Sequence, residues 1–233
     1  MLEQVIIQRA QRLLTAHPIG NLLPRFIIAG NALNAIEAHD IDIFPFKLED
    51  FAPMARILNP YTVSKTRNAV TATFTGHTTV QLCNYAEPTL HELIYTFDFA
   101  HIQVGAEVEF VGGKPIITKV FCTKDYVDAI ASGTTWFTGS KYPLSSLIRC
   151  GKYLKYGQML QSDYMRTIIE ILAAVVERGF VDSDDFRDQM DAVDLGLVAA
   201  NGEVSSEALG KIYEGLHHEE VGPDLLDVQT LPF

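Results

Sequence analysis

Ile27-Ile28-Ala29-Gly30-Asn31, followed by His39-Asp40-Ile41-Asp42-Ile43-Phe44, is the stretch on which the fold of this chain turns. Arg25 to Ala29 is a short apolar run closed by Gly30, the pattern of a buried strand ending in a turn. Ile41, Ile43 and Phe44 make a second strand with Asp40 and Asp42 between them. Side chains alternate along a strand, so two carboxylates at i and i+2 share one face. Side by side they repel, and a divalent cation is what best neutralises such a pair. Mg²⁺ favours one or two carboxylates plus phosphate oxygens and water, a set that a bound nucleotide completes. Gly30 and Asn31, opening an Ala-rich helix-compatible segment up to Ala38, can offer backbone N–H groups to phosphate with a helix dipole behind them. Each half also has a plain reading: a Gly-Asn turn is usually only a turn, and Asp-x-Asp is often a solvated edge.

Outward from this centre, residues 3 to 16 carry helical spacing that His17-Pro18 ends. Residues 46 to 60 read as a loop or short helix, closed by Asn59-Pro60. Strands are expected at Asn68 to Thr75, Thr79 to Asn84 and Leu93 to Val104, and a hairpin at Glu107 to Phe110 and Ile116 to Phe121 across Gly112-Gly113. From Tyr126 helical spacing dominates, over 126–132, 143–157, 161–178, 183–193 and 204–218. The expectation is an α+β fold: a small mixed sheet with helices over 1–125, then a helical region with an acidic tail over 126–233.

A third carboxylate, Asp98, lies within Tyr95-Thr96-Phe97-Asp98-Phe99, where an unpaired charge is costly. It is expected to share metal with Asp40 and Asp42 or to pair with a base; fixing a strand end is the alternative. On the helix from Pro143, Ser145, Arg149, Lys152 and Tyr156 form a stripe at i, i+4, i+7 and i+11, with Leu144, Leu147, Ile148 and Leu154 toward the buried side. Such cations with a hydroxyl and an aromatic ring can hold triphosphate oxygens and stack on a base, or can simply be a solvated basic face. His101 and His39 read as structural, Ser64, Lys65 and Arg67 as a polar loop, Trp136 with Phe137 as core, and His217-His218 as too isolated for a metal site.

The net charge of −11 is placed unevenly. Residues 1–180 hold 16 basic and 16 acidic residues, whereas residues 181–233 hold 2 and 13, so the last segment supplies the whole excess. A neutral body argues against a broad nonspecific nucleic-acid surface but permits a local basic groove. The acidic segment reads as a solubilising helical cap, with a protein-partner or self-inhibitory role as the alternative. No apolar run reaches the ~18 residues of a membrane span. Three widely spaced cysteines, Cys83, Cys122 and Cys150, form no zinc pattern or disulfide framework, and point to a reducing, cytoplasmic setting.

These residues resemble the nucleotidyltransferase superfamily typified by DNA polymerase beta: an apolar strand, a Gly turn, a strand with Asp-x-Asp and a later acidic strand. Thr66-Arg67-Asn68-Ala69-Val70-Thr71, Thr79-Val80-Gln81-Leu82, Phe97-Asp98-Phe99-Ala100-His101 and the segment from Tyr142-Pro143 to Gly157 follow in order. The ordered set is similar to a divergent group found in phages, large DNA viruses and fungal ankyrin-containing proteins, over about residues 25–160. The resemblance implies metal binding (Mg²⁺ or Mn²⁺) at Asp40, Asp42 and Asp98, and a phosphate-loop role for Gly30 and Asn31. Asn31 departs from the Gly or Ser of the superfamily, which also permits a weak, specialised or inactive enzyme. The first reading is transfer of a nucleoside monophosphate from an NTP to a hydroxyl of RNA, a small molecule or a protein, with Asp98 as proton acceptor and Arg149 and Lys152 on the phosphates. The others are a non-catalytic nucleotide- or RNA-binding module, an interaction protein acting through its acidic segment, and a metal hydrolase.

Overall fold

The computed structural model describes residues 2–34, 38, 40–66, 68–155 and 157–191. Seven strands, β1 (Arg25–Ala29), β2 (Asp40–Phe44), β3 (Thr62–Lys65), β4 (Ala69–Ala72), β5 (Thr79–Cys83), β6 (Val104–Val111) and β7 (Lys114–Cys122), form one mixed sheet in the order β3-β4-β5-β2-β1-β6-β7. Only β2 and β5 pair in parallel; the other neighbours are antiparallel. The parallel pair requires a crossover, supplied by α2 (Phe51–Leu58) and the β3–β4 hairpin. The fold is the expected α+β arrangement, with helices α4 (Lys124–Ser132), α5 (Pro143–Lys155), α6 (Gln161–Arg178) and α7 (Ser183–Asp191) after the sheet.

Alternation decides which face of each strand is buried. Ile41 and Ile43 of β2 join Phe26, Ile28, Val80 and Leu82 in a core cluster sealed by Ile6, Ala10 and Leu14 of α1 (Leu2–Leu14). On the opposite face Ile27, Ala29 and Phe44 pack under Leu90, Leu93 and Ile94 of α3 (Leu90–Tyr95). β1 is therefore covered on both faces, which explains its unbroken apolar run. A third cluster joins Phe99 and Ile102 to Cys150, Tyr153, Met159 and Ile171 of the helical region. Tyr126 of α4 belongs to the first cluster, so the helices that build their own cluster begin with α5.

The hairpin across Gly112-Gly113 forms as expected, with both glycines at positive φ (59° and 75°), the turn whose twist matches two right-twisted strands. The long strand expected over Leu93 to Val104 does not form. Its first part is helix α3, opened by a reciprocal cap in which Glu92 N donates to Thr89 Oγ1 at 3.1 Å and Thr89 Oγ1 donates to Glu92 Oε2 at 2.8 Å. Phe99 then makes an isolated bridge to Phe137, and Ala100–Ile102 is a single 3₁₀ turn before β6. β3 is strand where a polar loop was expected, an exposed edge held by β4 alone. The helix expected over 204–218 lies outside the described residues, as do His39, Arg67 and His217-His218.

α3 sits close to the sheet because β6 carries Gly105 beneath it: an added Cβ would meet Ile94 Cδ1 at 2.6 Å and Leu90 Cδ1 at 3.0 Å. Gly105→Ala is expected to destabilise the protein by about 1–3 kcal/mol through overpacking, read as a lower urea midpoint with unchanged slope.

Candidate active site

β2 places Asp40 and Asp42, both half-buried, on the face opposite Ile41 and Ile43. Their lateral neighbours follow from the register: Asp42 stands between Ala29 of β1 and Gln81 of β5, and Asp40 beside Thr79. α3 covers this face on one side only, so the half bearing β2 and β5 keeps a polar row of Asp40, Asp42, Thr79 and Gln81. Cys83, two residues beyond Gln81, registers the charge: burial first, then Asp42 and Asp40, push its thiol well above the usual range.

Gly30 ends β1 with φ +80°, a left-handed conformation that L side chains rarely adopt, and a Cβ there would lie 3.8 Å from Asp42 Oδ2. With Phe97 Cε1 at 3.7 Å as well, an added Cβ would make only ordinary contacts, so it is the backbone conformation that calls for glycine here. The helix expected behind Gly30 is, in its described part, only a 3₁₀ turn, Gly30–Leu33, so little helix dipole is aimed at this point. The turn is instead tied down by side chains. Arg9 of α1 donates through Nη1 to the carbonyls of Leu33 (3.1 Å) and Asn34 (2.7 Å). Asn34 Nδ2 donates to the His101 carbonyl at 3.3 Å, and Asn31 Oδ1 accepts from Gln158 Nε2 at 3.1 Å.

Asp98 occupies a bend after α3, only 3% exposed, and not a strand. Its Oδ2 accepts from Ser146 Oγ at 2.6 Å, Arg149 Nε at 2.8 Å and Arg149 Nη2 at 2.6 Å. Among the described residues no three His, Cys, Asp or Glu side chains gather closely enough to share an ion. Asp98 is thus not brought into one ligand set with Asp40 and Asp42; a cation from α5 satisfies its buried charge instead. Arg149 Nη2 also donates to Ser145 Oγ at 3.0 Å, and Ser145 Oγ donates to the Tyr142 carbonyl at 2.8 Å. Burial works against the guanidinium charge, but Asp98 above all, with Tyr153 and Asp42 adding, raises its pKa above the ordinary arginine value. The side chain keeps 31% of its exposure.

The face that α5 turns inward is rotated from the expected stripe. Ser145 and Ser146 are fully buried, Cys150 and Tyr153 are core, and Leu144, Leu147 and Leu154 are only half-buried. Ser146, Arg149 and Tyr153 line the inward stripe; Lys152 is half-buried, and Tyr156 lies outside the described residues. Tyr153, the tyrosine of the Arg149-x-x-Lys152-Tyr153 run, was not among the expected site residues. Burial first, then Asp98, with Asp42 and Asp40 adding and Arg149 opposing, holds its phenol above the usual range, which puts the ring in the electrostatic reach of all three carboxylates. His101 meets the edge of that ring at a centroid distance of 4.3 Å and pairs through Nδ1 with Thr135 Oγ1 at 2.7 Å. Burial pushes its imidazole down to about 4, against the opposing pull of Asp98. A separate open cleft of about 610 Å³ runs between Trp136 and α6, without Asp40 or Asp42 in its walls.

No family model matches the chain, and no curated protein matches it. Fifteen chains of solved structures do. The Thermotoga maritima CCA-adding enzyme complexed with tRNA is 12% identical with a TM-score of 0.45, over 91% of this chain and 54% of that one. A CCA-adding enzyme with ATP is 11% identical with a TM-score of 0.47, over 91% and 53%. A tRNA-processing enzyme without ligand is 12% identical with a TM-score of 0.43, over 91% and 64%. The chain spans little more than half the length of the first two.

Two outcomes follow from this geometry. Arg149→Met leaves a buried carboxylate with one hydroxyl partner, and is expected to cost about 3 kcal/mol in denaturant unfolding, more than Arg149→Lys. His101 is neutral in the fold but titrates near 6.5 when unfolded, so the unfolded chain takes up more protons between these values. Stability is expected to be full above about pH 6.5 and to fall by up to ~3 kcal/mol toward pH 4, a slope that His101→Gln reduces in urea titrations across that range.

Proposed function

We propose that the chain is a divalent-metal-dependent nucleotidyltransferase that moves a nucleoside monophosphate from an NTP to a hydroxyl acceptor with release of pyrophosphate. The observation that carries this reading is the Asp40/Asp42 pair on one face of β2, with the Gly30 turn beside Asp42 and the Arg149 charge within its field. Two hard carboxylates on a half-covered sheet fit Mg²⁺ or Mn²⁺, and they leave coordination positions for phosphate oxygens and water. When bound, the ion supplies charge neutralisation at the phosphates and a lower pKa for the attacking hydroxyl.

The chain's own residues supply positioning. Asp40 and Asp42 hold the metal and so fix where the triphosphate lies. Gly30 supplies the left-handed turn that ends β1 beside Asp42. Arg149 brings its charge to the phosphates as charge builds in the transition state, and Lys152 adds a second cation. Asp98, Ser145 and Ser146 set the direction of Arg149, so Asp98 acts in this scheme as a positioning residue. Tyr153 walls the site beside the carboxylates. The acceptor class is a hydroxyl of RNA, a small molecule or a protein, and the similarity to the phage and viral group belongs to the same reading.

A second reading, a non-catalytic nucleotide- or RNA-binding module, is favoured by one feature. Asn31 spends its side-chain oxygen on Gln158, which fastens the phosphate turn to the segment after α5. Calorimetric titration of each NTP with Mg²⁺ or Mn²⁺, combined with a pyrophosphate-release assay, separates the two. The transferase reading expects metal-dependent binding and release, both lost in Asp40→Asn/Asp42→Asn, with turnover down on the order of 10³-fold and the circular dichroism unchanged. Metal-dependent binding without pyrophosphate release for any acceptor would favour the binding module, and no NTP binding by folded protein would sink the transferase reading and the nucleotide-binding form of the second.

A further inference from the structure

The open cleft of about 610 Å³ between residues 134–137 and α6 takes no part in the site described above, and its two walls differ in character. One wall carries the aromatic rings of Trp136 and Phe137 on a segment that is tied down. The Trp136 carbonyl accepts from Ala100 N at 3.1 Å, Phe137 bridges Phe99, and Thr135 Oγ1 accepts from His101 N at 3.2 Å. The other wall is one polar face of α6, where Asp163, Arg166, Thr167 and Glu170 fall at i, i+3, i+4 and i+7. A space of this size is in the range of small-molecule pockets.

Thr167 distinguishes this cleft from an ordinary surface groove. It is only 2% exposed, and its hydroxyl makes no hydrogen bond among the described residues. It is not one of the fully enclosed unpartnered groups, so the access it keeps is to the cleft that it lines. Buried hydroxyls normally have a partner. The charges on the same face are unequal. Arg166 Nε donates to Glu170 Oε1 at 2.8 Å, and that pair balances itself. Half-buried Asp163, one turn before Thr167, has no ion pair or side-chain hydrogen bond among the described residues. The cleft therefore holds one uncompensated negative charge and one idle hydroxyl across from an indole.

A primary ammonium has three N–H donors and no acceptor, which suits a carboxylate and a hydroxyl oxygen one helical turn apart. An aromatic body attached to it would lie against Trp136 and Phe137, where ring faces also favour a nearby cation. A phosphate or carboxylate ligand would instead meet Asp163, and among the described residues the lining offers no cation beyond the paired Arg166. We propose that this cleft binds a small organic amine with an aromatic body, held by Asp163 and Thr167 and packed against Trp136. The inference does not rest on the transferase reading.

Trp136 is the single tryptophan of the chain, so tryptophan emission reads this cleft directly. The probe is phenethylamine, with phenylacetate and phenethyl alcohol as the anionic and neutral compounds of similar size. The amine is expected to shift Trp136 emission saturably with a Kd of ~1 mM or below, and the other two to bind at least about 10-fold more weakly. Asp163→Asn is expected to bring the amine down to the level of the alcohol, and Thr167→Val to weaken it roughly 3–10-fold, both with unchanged far-ultraviolet circular dichroism. Titration calorimetry on the same samples detects binding that leaves the emission unmoved. No saturable binding of the amine by either method would overturn the proposal. Equal binding of the alcohol or the acid, or amine binding indifferent to Asp163→Asn, would overturn it as well.

Discussion

Asp98 and Arg149 meet where the sheet gives way to the helices, and the shape of the site depends on that meeting. Asp98 is fixed by its own backbone, since its carbonyl accepts from Thr138 N at 2.9 Å, and its carboxylate has almost no access to water. Three donor contacts from Ser146 and Arg149 converge on one oxygen. A buried ion pair of this kind is a poor source of stability, because removing both charges from water offsets most of their attraction. Its effect is directional. The guanidinium is locked in one orientation by Asp98 and Ser145 while it stays within the field of Asp42. An arginine held this way loses little freedom when an anion arrives.

The remainder of the site is a boundary effect. The Asp40/Asp42 side of the sheet is covered by α3 over β1 and β6, and the cluster around Phe99 and Tyr153 closes the neighbouring side. The β2 and β5 part of this face, beyond α3, keeps a strip of sheet in which the carboxylates stay half-buried. The Gly30 turn at the edge of this strip is held from three directions, by α1 through Arg9, by the turn after Asp98 through Asn34, and by Gln158. Elements from across the chain converge on a few backbone atoms, which makes the turn rigid although it is not a regular helix.

The sequence made β1, β2 and the β6–β7 hairpin legible, because alternation and a double-glycine turn are local signals. The face of Asp40 and Asp42 followed from the same alternation. The segment after Pro88 was misread because Leu93, Ile94, Phe97 and Phe99 suit a strand as well as a helix. The Thr89-x-x-Glu92 cap was the local signal that could have decided it. That Asp98 needed a partner was legible from its apolar neighbours; that the partner lay 51 residues on was not, being a tertiary fact. Counting serine as a surface residue rotated the expected face of α5. Ser145 and Ser146 are buried because each has a buried acceptor to satisfy, and nothing in the spacing of the leucines announces this. β3 was invisible because an exposed edge strand needs no pattern.

The place of β1 in the sheet also governs how the chain reaches it. One edge of β1 is completed by β2, close by in sequence, but the other waits for β6, with Arg25 opposite Glu109 and Ala29 opposite Gly105. Ribosomes add ~5–20 residues per second, so roughly 3–13 s separate the two edges during synthesis. For that interval a strand apolar on both faces presents an unpaired row of N–H and C=O groups, the arrangement most prone to recruit strands from other chains. During that interval the chain is open to competing strand pairing at residues 25–29, a hazard on which the stability of the finished fold has no bearing.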